Sequence, residues 1–150
     1  MYTIFVLTSM TITKSNEKVI LGTGATGTVG SEIVKQLTSP SASPSLGIGV
    51  RAVRAAVHSQ NKADELANYK KVEVVNMDYN KPQTLAEALN NVDKLFWLTL
   101  PGPNMTEVSS NLIKEAKENG VRHIVKLSVM GADAEPGTTI GRLHRYEEKL

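Results

Sequence analysis

Apolar residues recur along this chain with two different periods, and the switches between them predict its elements. A short apolar run, Val19-Ile20-Leu21, reads as a strand that starts near Lys18 and runs into Gly22. Directly behind it, Val29, Ile33 and Leu37 recur at i, i+4 and i+8, with Val34 beside them, as one face of a helix requires. The Ser/Pro stretch from Ser39 to Ser45 predicts a loop. Ile48 to Val57 predicts a second strand, Lys62 to Asn68 a short helix, and Val72 to Val75 a third strand ending at Asn76-Met77-Asp78-Tyr79. Asn80 is placed to cap a helix with Pro82 in its first turn and with Leu85, Ala88 and Leu89 on one face. Val92 to Leu100 predicts a fourth strand, stopped by Pro101-Gly102-Pro103. Asn104 then caps a long helix with apolar positions Met105, Val108, Leu112, Ile113 and Ala116, and Gly120 suits its C′ position. A fifth strand follows from Val121 to Leu127. A loop through Gly131 and Pro136-Gly137 leads to a last helix, Ile140 to Leu150.

Strand and helix in strict alternation predict an α/β fold: a doubly wound parallel sheet of at least five strands with helices on both faces. Right-handed crossovers give the order 3-2-1-4-5, with any ligand across the carboxyl ends of the strands, where the first and fourth separate. Residues 1–17 form a tail of uncertain order, and residues 18–150 one domain. The chain stops at Leu150 inside a helical pattern without a stop signal, so we expect a domain truncated before the region that would bind substrate.

The turn after the first strand carries the chemistry. Strand, glycine turn and helix aim backbone N–H groups and a positive dipole end at a phosphate. Two registers fit: Gly22-x-Gly24-x-x-Gly27, the dinucleotide fingerprint, and Gly24-x-x-Gly27-x-x-Gly30. We prefer the second, whose words Thr23-Gly24-Ala25-Thr26-Gly27 and Thr28-Val29-Gly30 resemble those of short-chain dehydrogenase/reductase relatives. The end of the second strand selects the cofactor. An acid there holds the ribose 2′-hydroxyl of NAD, whereas basic residues accommodate the 2′-phosphate of NADP. The segment Arg54 to Lys62 has no acid, and His58, Ser59 and Lys62 are placed to meet a phosphate, so NADP is preferred over NAD.

Composition narrows the rest. The 150 residues include no cysteine, which removes disulfides and thiolate chemistry. A net charge of +2 implies no field for nucleic acid or acidic membranes. The apolar start, Met1 to Leu7, lacks a basic flank and a cleavage site and is too short to span a bilayer, so a cytoplasmic location is expected. HExxH and GxSxG are absent, and the histidines at 58, 123 and 144 lack metal-ligand spacing.

The chain resembles the NmrA-like family of atypical short-chain dehydrogenases. The matching words are Ile20 to Gly30, Val53-Arg54-Ala55-Ala56-Val57-His58, Met77-Asp78-Tyr79, Asn91 to Phe96, Gly120 to Ser128 and His144 to Leu150, in the family's order over residues 18–150. The resemblance implies a Rossmann fold and NAD(P)H-dependent hydride transfer to a quinone-like or conjugated small molecule. The family also holds nucleotide-sensing regulators without activity, which keeps a non-catalytic reading open beside that of a truncated, inactive domain. By position, the resemblance implies that Thr23, Gly24, Ala25, Thr26, Gly27, Thr28, Val29 and Gly30 cradle the diphosphate. It places Asp78 against the adenine, with Met77 and Tyr79 beside it. Leu98, Thr99, Leu100 and Pro101 would line the ribose and nicotinamide side, and Ser128 and Val129 would face the nicotinamide. Asp78 could instead cap a turn, and Ser128 could bond only backbone. Where the family often has arginine, this chain has His58, a weaker cation.

His144 and Glu148 lie at i, i+4 and so share a helix face. The family places such a pair near its cleft, which makes His144, with Ser128, a candidate catalytic residue. No tyrosine is followed by lysine four residues on, so the tyrosine–lysine acid of ordinary short-chain dehydrogenases is absent from this sequence. A quinone or extended iminium can take hydride without it and collect its proton from water.

Overall fold

The computed structural model describes residues 18–39, 49–58, 63–99 and 102–150. The tail before Lys18, the Ser/Pro loop beyond Ser39, Ile48, Ser59, Lys62, Leu100 and Pro101 lie outside the described residues.

Ten elements alternate: β1 (Lys18–Gly22), α1 (Thr28–Thr38), β2 (Val50–Val57), α2 (Ala63–Ala67), β3 (Val72–Asn76), α3 (Pro82–Leu89), β4 (Lys94–Trp97), α4 (Met105–Glu118), β5 (His123–Lys126) and α5 (Thr139–Glu147). The strands form one parallel sheet in the order β3-β2-β1-β4-β5, as the alternation predicts. Successive side chains of a strand point to opposite faces. Val19 and Leu21 accordingly enter one core with Leu85, Leu89, Leu95, Trp97 and Leu112, under α3 and α4. Ile20 enters the other with Val34, Val53, Val57 and Leu66, under α1 and α2. The central strand is therefore apolar at consecutive positions, as a strand covered on both faces should be.

Several boundaries differ from the sequence expectation, each for a local reason. The fourth strand was expected from Val92 to Leu100 but pairs only over Lys94–Trp97. At its start, Val92 closes the turn after α3 through Leu89, with Asn91 left-handed at φ 57°. At its end, Thr23 replaces the ladder: the Leu98 amide donates to Thr23 Oγ1 at 2.8 Å, and that hydroxyl donates to the Leu98 carbonyl at 3.2 Å. The fifth strand starts later than Val121, because Val121 completes the end of α4. Its amide donates to the Ala116 carbonyl at 2.9 Å and that of Gly120 to Lys117 at 3.1 Å, with Gly120 at φ 77°. This is the glycine-terminated helix end expected at Gly120.

The two asparagine caps do not form. Lys81, not Asn80, precedes α3, and although Asn104 does precede α4, its side chain accepts no capping bond. Asn80 is instead drawn back by Asp78, which accepts from its amide at 2.9 Å. On α1 the buried positions are Gly30 and Val34, while Val29 is 45 % exposed. The close approach of Gly30 to the first turn, described below, rotates the buried face away from Val29.

Arg54, on β2, ties the sheet to the far end of α3. Its Nη1 donates to the carbonyls of Ala88 at 2.8 Å and Asn90 at 2.7 Å, and Nη2 meets Glu73 at 3.1 Å. Charge-assisted bonds of this kind contribute about 1.5–3 kcal/mol. Arg54→Met keeps much of the stem and removes those donors. It is expected to lower unfolding free energy by about 2 kcal/mol in urea titrations, and an unchanged midpoint would show the end of α3 to be self-sufficient.

Candidate dinucleotide site

The turn between β1 and α1 is built by three glycines. Gly24 adopts φ 62°, a conformation that a side chain disfavours, and its carbonyl accepts the Gly27 amide at 2.9 Å. Gly27 then starts α1 without a side-chain cap. A Cβ on Gly30 would lie 2.1 Å from the Gly24 carbonyl oxygen and 2.6 Å from its carbon, so the first helical turn packs directly on the Gly24 peptide. A Cβ on Gly27 would be tight against the same oxygen at 3.2 Å, whereas one on Gly22 would meet nothing within 4 Å. Tight packing thus falls on Gly24, Gly27 and Gly30, the spacing preferred from the sequence. Gly22 ends β1.

Around this turn the residues divide. Thr28 and Val29 are exposed, and Thr26 is half-buried. Ala25 is fully buried, with its amide on the Ala56 carbonyl at 3.2 Å, so only its backbone lies on the turn. The first amides of an α-helix have no carbonyl partner within it. An anion at this end meets donors already pointed at it and the positive end of the helix dipole.

A cleft of about 290 Å³ opens beyond the ends of β2 and β3, lined by His58, Asp78, Tyr79, Asn80, Gly102, Pro103, Asn104, Met105 and Val108. His58 is exposed at its rim, with Nε2 3.9 Å from Asp78 Oδ2. Asp78 is the Asx-turn residue of the loop, and Lys81 lies 3.5 Å away. The Asn80 amide on its carboxylate, helped by Lys81 and His58, holds Asp78 below the usual carboxylate range against its partial burial. Tyr79 gives its hydroxyl to the Leu98 carbonyl at 3.0 Å, and burial pushes that hydroxyl up to about 12, so it stays protonated at neutral pH. Met77 is 4 % exposed in the core, which withdraws its side chain from this cleft.

The carboxyl ends of β4 and β5 carry a second group of polar residues, and here the sequence reading missed the centre. Glu147 is 3 % exposed. Its carboxylate accepts from Thr99 Oγ1 at 3.2 Å and from Ser109 Oγ, and pairs with Lys126 Nζ at 3.0 Å. Lys126 also lies 2.7 Å from His144 Nδ1 and over the Trp97 ring, 5.5 Å from its centroid. His144 is buried, and burial first, then Lys126, pushes it below the usual histidine value, against Glu147 and Glu148. The expected partner Glu148 instead takes the hydroxyl of Ser128. Among the expected nicotinamide-side residues, Thr99 and Ser128 are thus both hydrogen-bonded to carboxylates, Leu98 bonds through its backbone, and Leu100 and Pro101 lie outside the described residues. Three signals pointed to the missed residues. Glu147 sits three residues from His144, Lys126 interrupts an apolar strand, and Ser109 interrupts the apolar stripe of α4.

A family profile described as NAD(P)H-binding matches residues 24–149. The chain belongs to this NAD(P)H-binding family. The match begins at Gly24, the first glycine of the packed turn. The chain is 36% identical to the NAD(P)H azoreductase of Xenophilus azovorans over 123 residues, 82% of this chain and 40% of that protein. Its fold is similar to that of Citrobacter sp. triphenylmethane reductase complexed with NADP(H), with a TM-score of 0.72 and 28% identity over 87% of this chain and 44% of the other. It is equally similar to the Escherichia coli NADPH-dependent quinone oxidoreductase complexed with NADPH, with a TM-score of 0.72 and 29% identity over 87% of this chain and 43% of that one. Membership in the NAD(P)H-binding family and these likenesses fit the NmrA-like atypical short-chain dehydrogenases that the sequence resembles. The chain spans less than half the length of each of these three relatives. No helix among the described residues is long and apolar enough to cross a membrane.

Proposed function

We propose that this chain binds a nicotinamide dinucleotide across the carboxyl ends of its strands and acts as an NAD(P)H-dependent reductase of a quinone-like or conjugated small molecule. The observation that carries the reading is the turn at Gly24, Gly27 and Gly30. It is packed so closely that a Cβ on Gly30 would strike backbone, and it opens onto an uncapped helix. The backbone amides of Thr26, Thr28, Val29 and Gly30 would hold the diphosphate, those of Ala25 and Gly27 being taken by the Ala56 and Gly24 carbonyls. The cleft between Asp78 and Val108 would take the adenosine, with the Tyr79 ring and Met105 as apolar walls. His58 at the rim, with Lys62, would meet the 2′-phosphate that distinguishes NADP. Thr99, Leu100, Pro101 and Ser128 would border the nicotinamide, and His144 would stand behind them. When bound, the dinucleotide supplies the hydride, and the protein orients it and shields it from water. The names of the azoreductase, dye reductase and quinone oxidoreductase relatives support an acceptor with an extended conjugated system.

Purified chain mixed with NADPH and a benzoquinone tests this directly. Loss of absorbance of the reduced nicotinamide at a protein-dependent rate is expected. Tight nucleotide binding without turnover would favour the non-catalytic sensor instead. For cofactor choice, NADPH is expected to bind more tightly than NADH. His58→Glu is expected to remove about fivefold of that preference, the equivalent of roughly 1 kcal/mol for an exposed charge pair. Equal affinities of the unaltered chain for both nucleotides would defeat the preference.

A further inference from the structure

We infer that Lys126 and Glu147 are positioning residues that fix His144 as its neutral Nε2–H tautomer, leaving Nε2 as a hydrogen-bond donor at the acceptor end of the site. The inference rests on the reading above for what Nε2–H would serve, but not for the tautomer itself.

An ammonium has donors only. Lys126 Nζ lies 2.7 Å from His144 Nδ1 and 3.0 Å from Glu147 Oε2. Nδ1 must then accept, and the single ring proton of a neutral imidazole falls on Nε2. The Glu147 carboxylate and the face of Trp97 both attract the ammonium where it stands. Glu147 is itself held by Ser109 on α4 and by Thr99 just past β4, so the amine is anchored from three elements. The groups facing His144 are Lys126 from β5 and Glu147 and Glu148 from its own helix. Burial and Lys126 outweigh the two carboxylates and pull the ring below the usual histidine value. No hydrogen bond among the described residues uses Nε2, and none of their buried side-chain nitrogens or oxygens lacks a partner. Nε2 therefore keeps access to solvent. A neutral imidazole so held would donate to the oxygen or nitrogen of an acceptor on which negative charge develops, without adding a full positive charge beside a nicotinamide that becomes cationic.

The test is long-range 1H–15N correlation on the chain labelled at histidine nitrogen, with His144 assigned through His144→Gln. In the unaltered chain without nucleotide, at a pH of about 7 to about 8, Nδ1 is expected to resonate as an unprotonated ring nitrogen and Nε2 as N–H. An Nδ1–H tautomer, or an imidazolium at pH 7, overturns the assignment. Lys126→Met is expected to give a tautomer mixture, and Lys126→Arg to retain the Nε2–H form. If the Met variant does not fold, the spectrum of the unaltered chain still decides. In quinone reduction, Lys126→Met is expected to lower kcat by about tenfold or more, less than the hundredfold that losing a donor outright costs. The KM for NADPH should hardly change. Equal loss in kcat and cofactor affinity would indicate a structural role only. A chain that shows the Nε2–H form yet binds no nucleotide would sink the proposed function and leave the tautomer assignment standing.

Discussion

Gly30→Ala is expected to weaken NADPH binding by roughly a hundredfold, while Gly22→Ala changes it less than about threefold. The first figure follows from the 1–3 kcal/mol that forced backbone shifts cost in a packed structure. The two glycines lie eight positions apart, and either belongs to a plausible glycine motif. Their surroundings separate them. A Cβ on Gly30 meets the Gly24 carbonyl oxygen at 2.1 Å, its carbon at 2.6 Å and the Ala25 Cα at 3.0 Å, all backbone, so no rotamer change relieves the clash. Either the Gly24 peptide or the start of α1 must move. The start of α1 carries the free amides that would face the diphosphate, and the Gly24 peptide is what it packs on, so affinity should fall even if the sheet survives. A Cβ on Gly22 meets nothing within 4 Å, at the end of a strand with extended backbone. Isothermal titration of both variants, with thermal unfolding as a control on folding, checks the pair. Equal losses would mean that the turn is not the anion site. A larger loss at Gly22 would restore the other glycine register.

Glu147→Leu is expected to destabilise the chain by about 3–5 kcal/mol, the cost of removing one partner of a buried ion pair. Glu147 has no exposed side-chain surface, and the Lys126 side chain is 10% exposed. Without the carboxylate, the ammonium loses its counter-charge, and the hydroxyls of Ser109 and Thr99 lose an acceptor. A domain of this size has a total stability of about 5–15 kcal/mol, so this single change should leave it close to unfolding. The double variant Lys126→Met/Glu147→Leu should recover much of the loss, because two apolar side chains of similar volume leave no orphaned charge. Urea unfolding of the single and double variants reads this coupling. If the losses at the two positions simply add, the pair is not the unit described here.

The sheet was legible because its signal is local. Val19-Ile20-Leu21 and Ala55-Ala56-Val57 are apolar without a break, as strands covered on both faces must be, and a glycine cluster directly after β1 left few alternatives for the next turn. The strand order followed from chain order and handedness. What the sequence did not resolve was which of two equivalent positions turns inward. His144 has glutamates at both i+3 and i+4, and helical pitch puts each on its face. Only the packing of α5 on β4, β5 and α4 selects Glu147 for burial and leaves Glu148 to Ser128. Lys126 reads as an ordinary strand lysine until Trp97 and Glu147 are seen around its amine. Thr23 gave no sign that it would end β4, because its partner Leu98 is 75 residues away. At Val29 the helical period was right and its phase wrong. A glycine, Gly30, supplies the contact that a side chain supplies elsewhere, and no hydrophobic pattern registers it.

The central claim is that the β1–α1 turn receives the diphosphate of a nicotinamide nucleotide. Titration of the full 150-residue chain with NADPH and with NADH, followed by the fluorescence of the reduced nicotinamide, tests it most directly. The account predicts saturable binding of one nucleotide per chain, tighter for NADPH and roughly a hundredfold weaker in Gly30→Ala. A folded chain that binds neither nucleotide would contradict it.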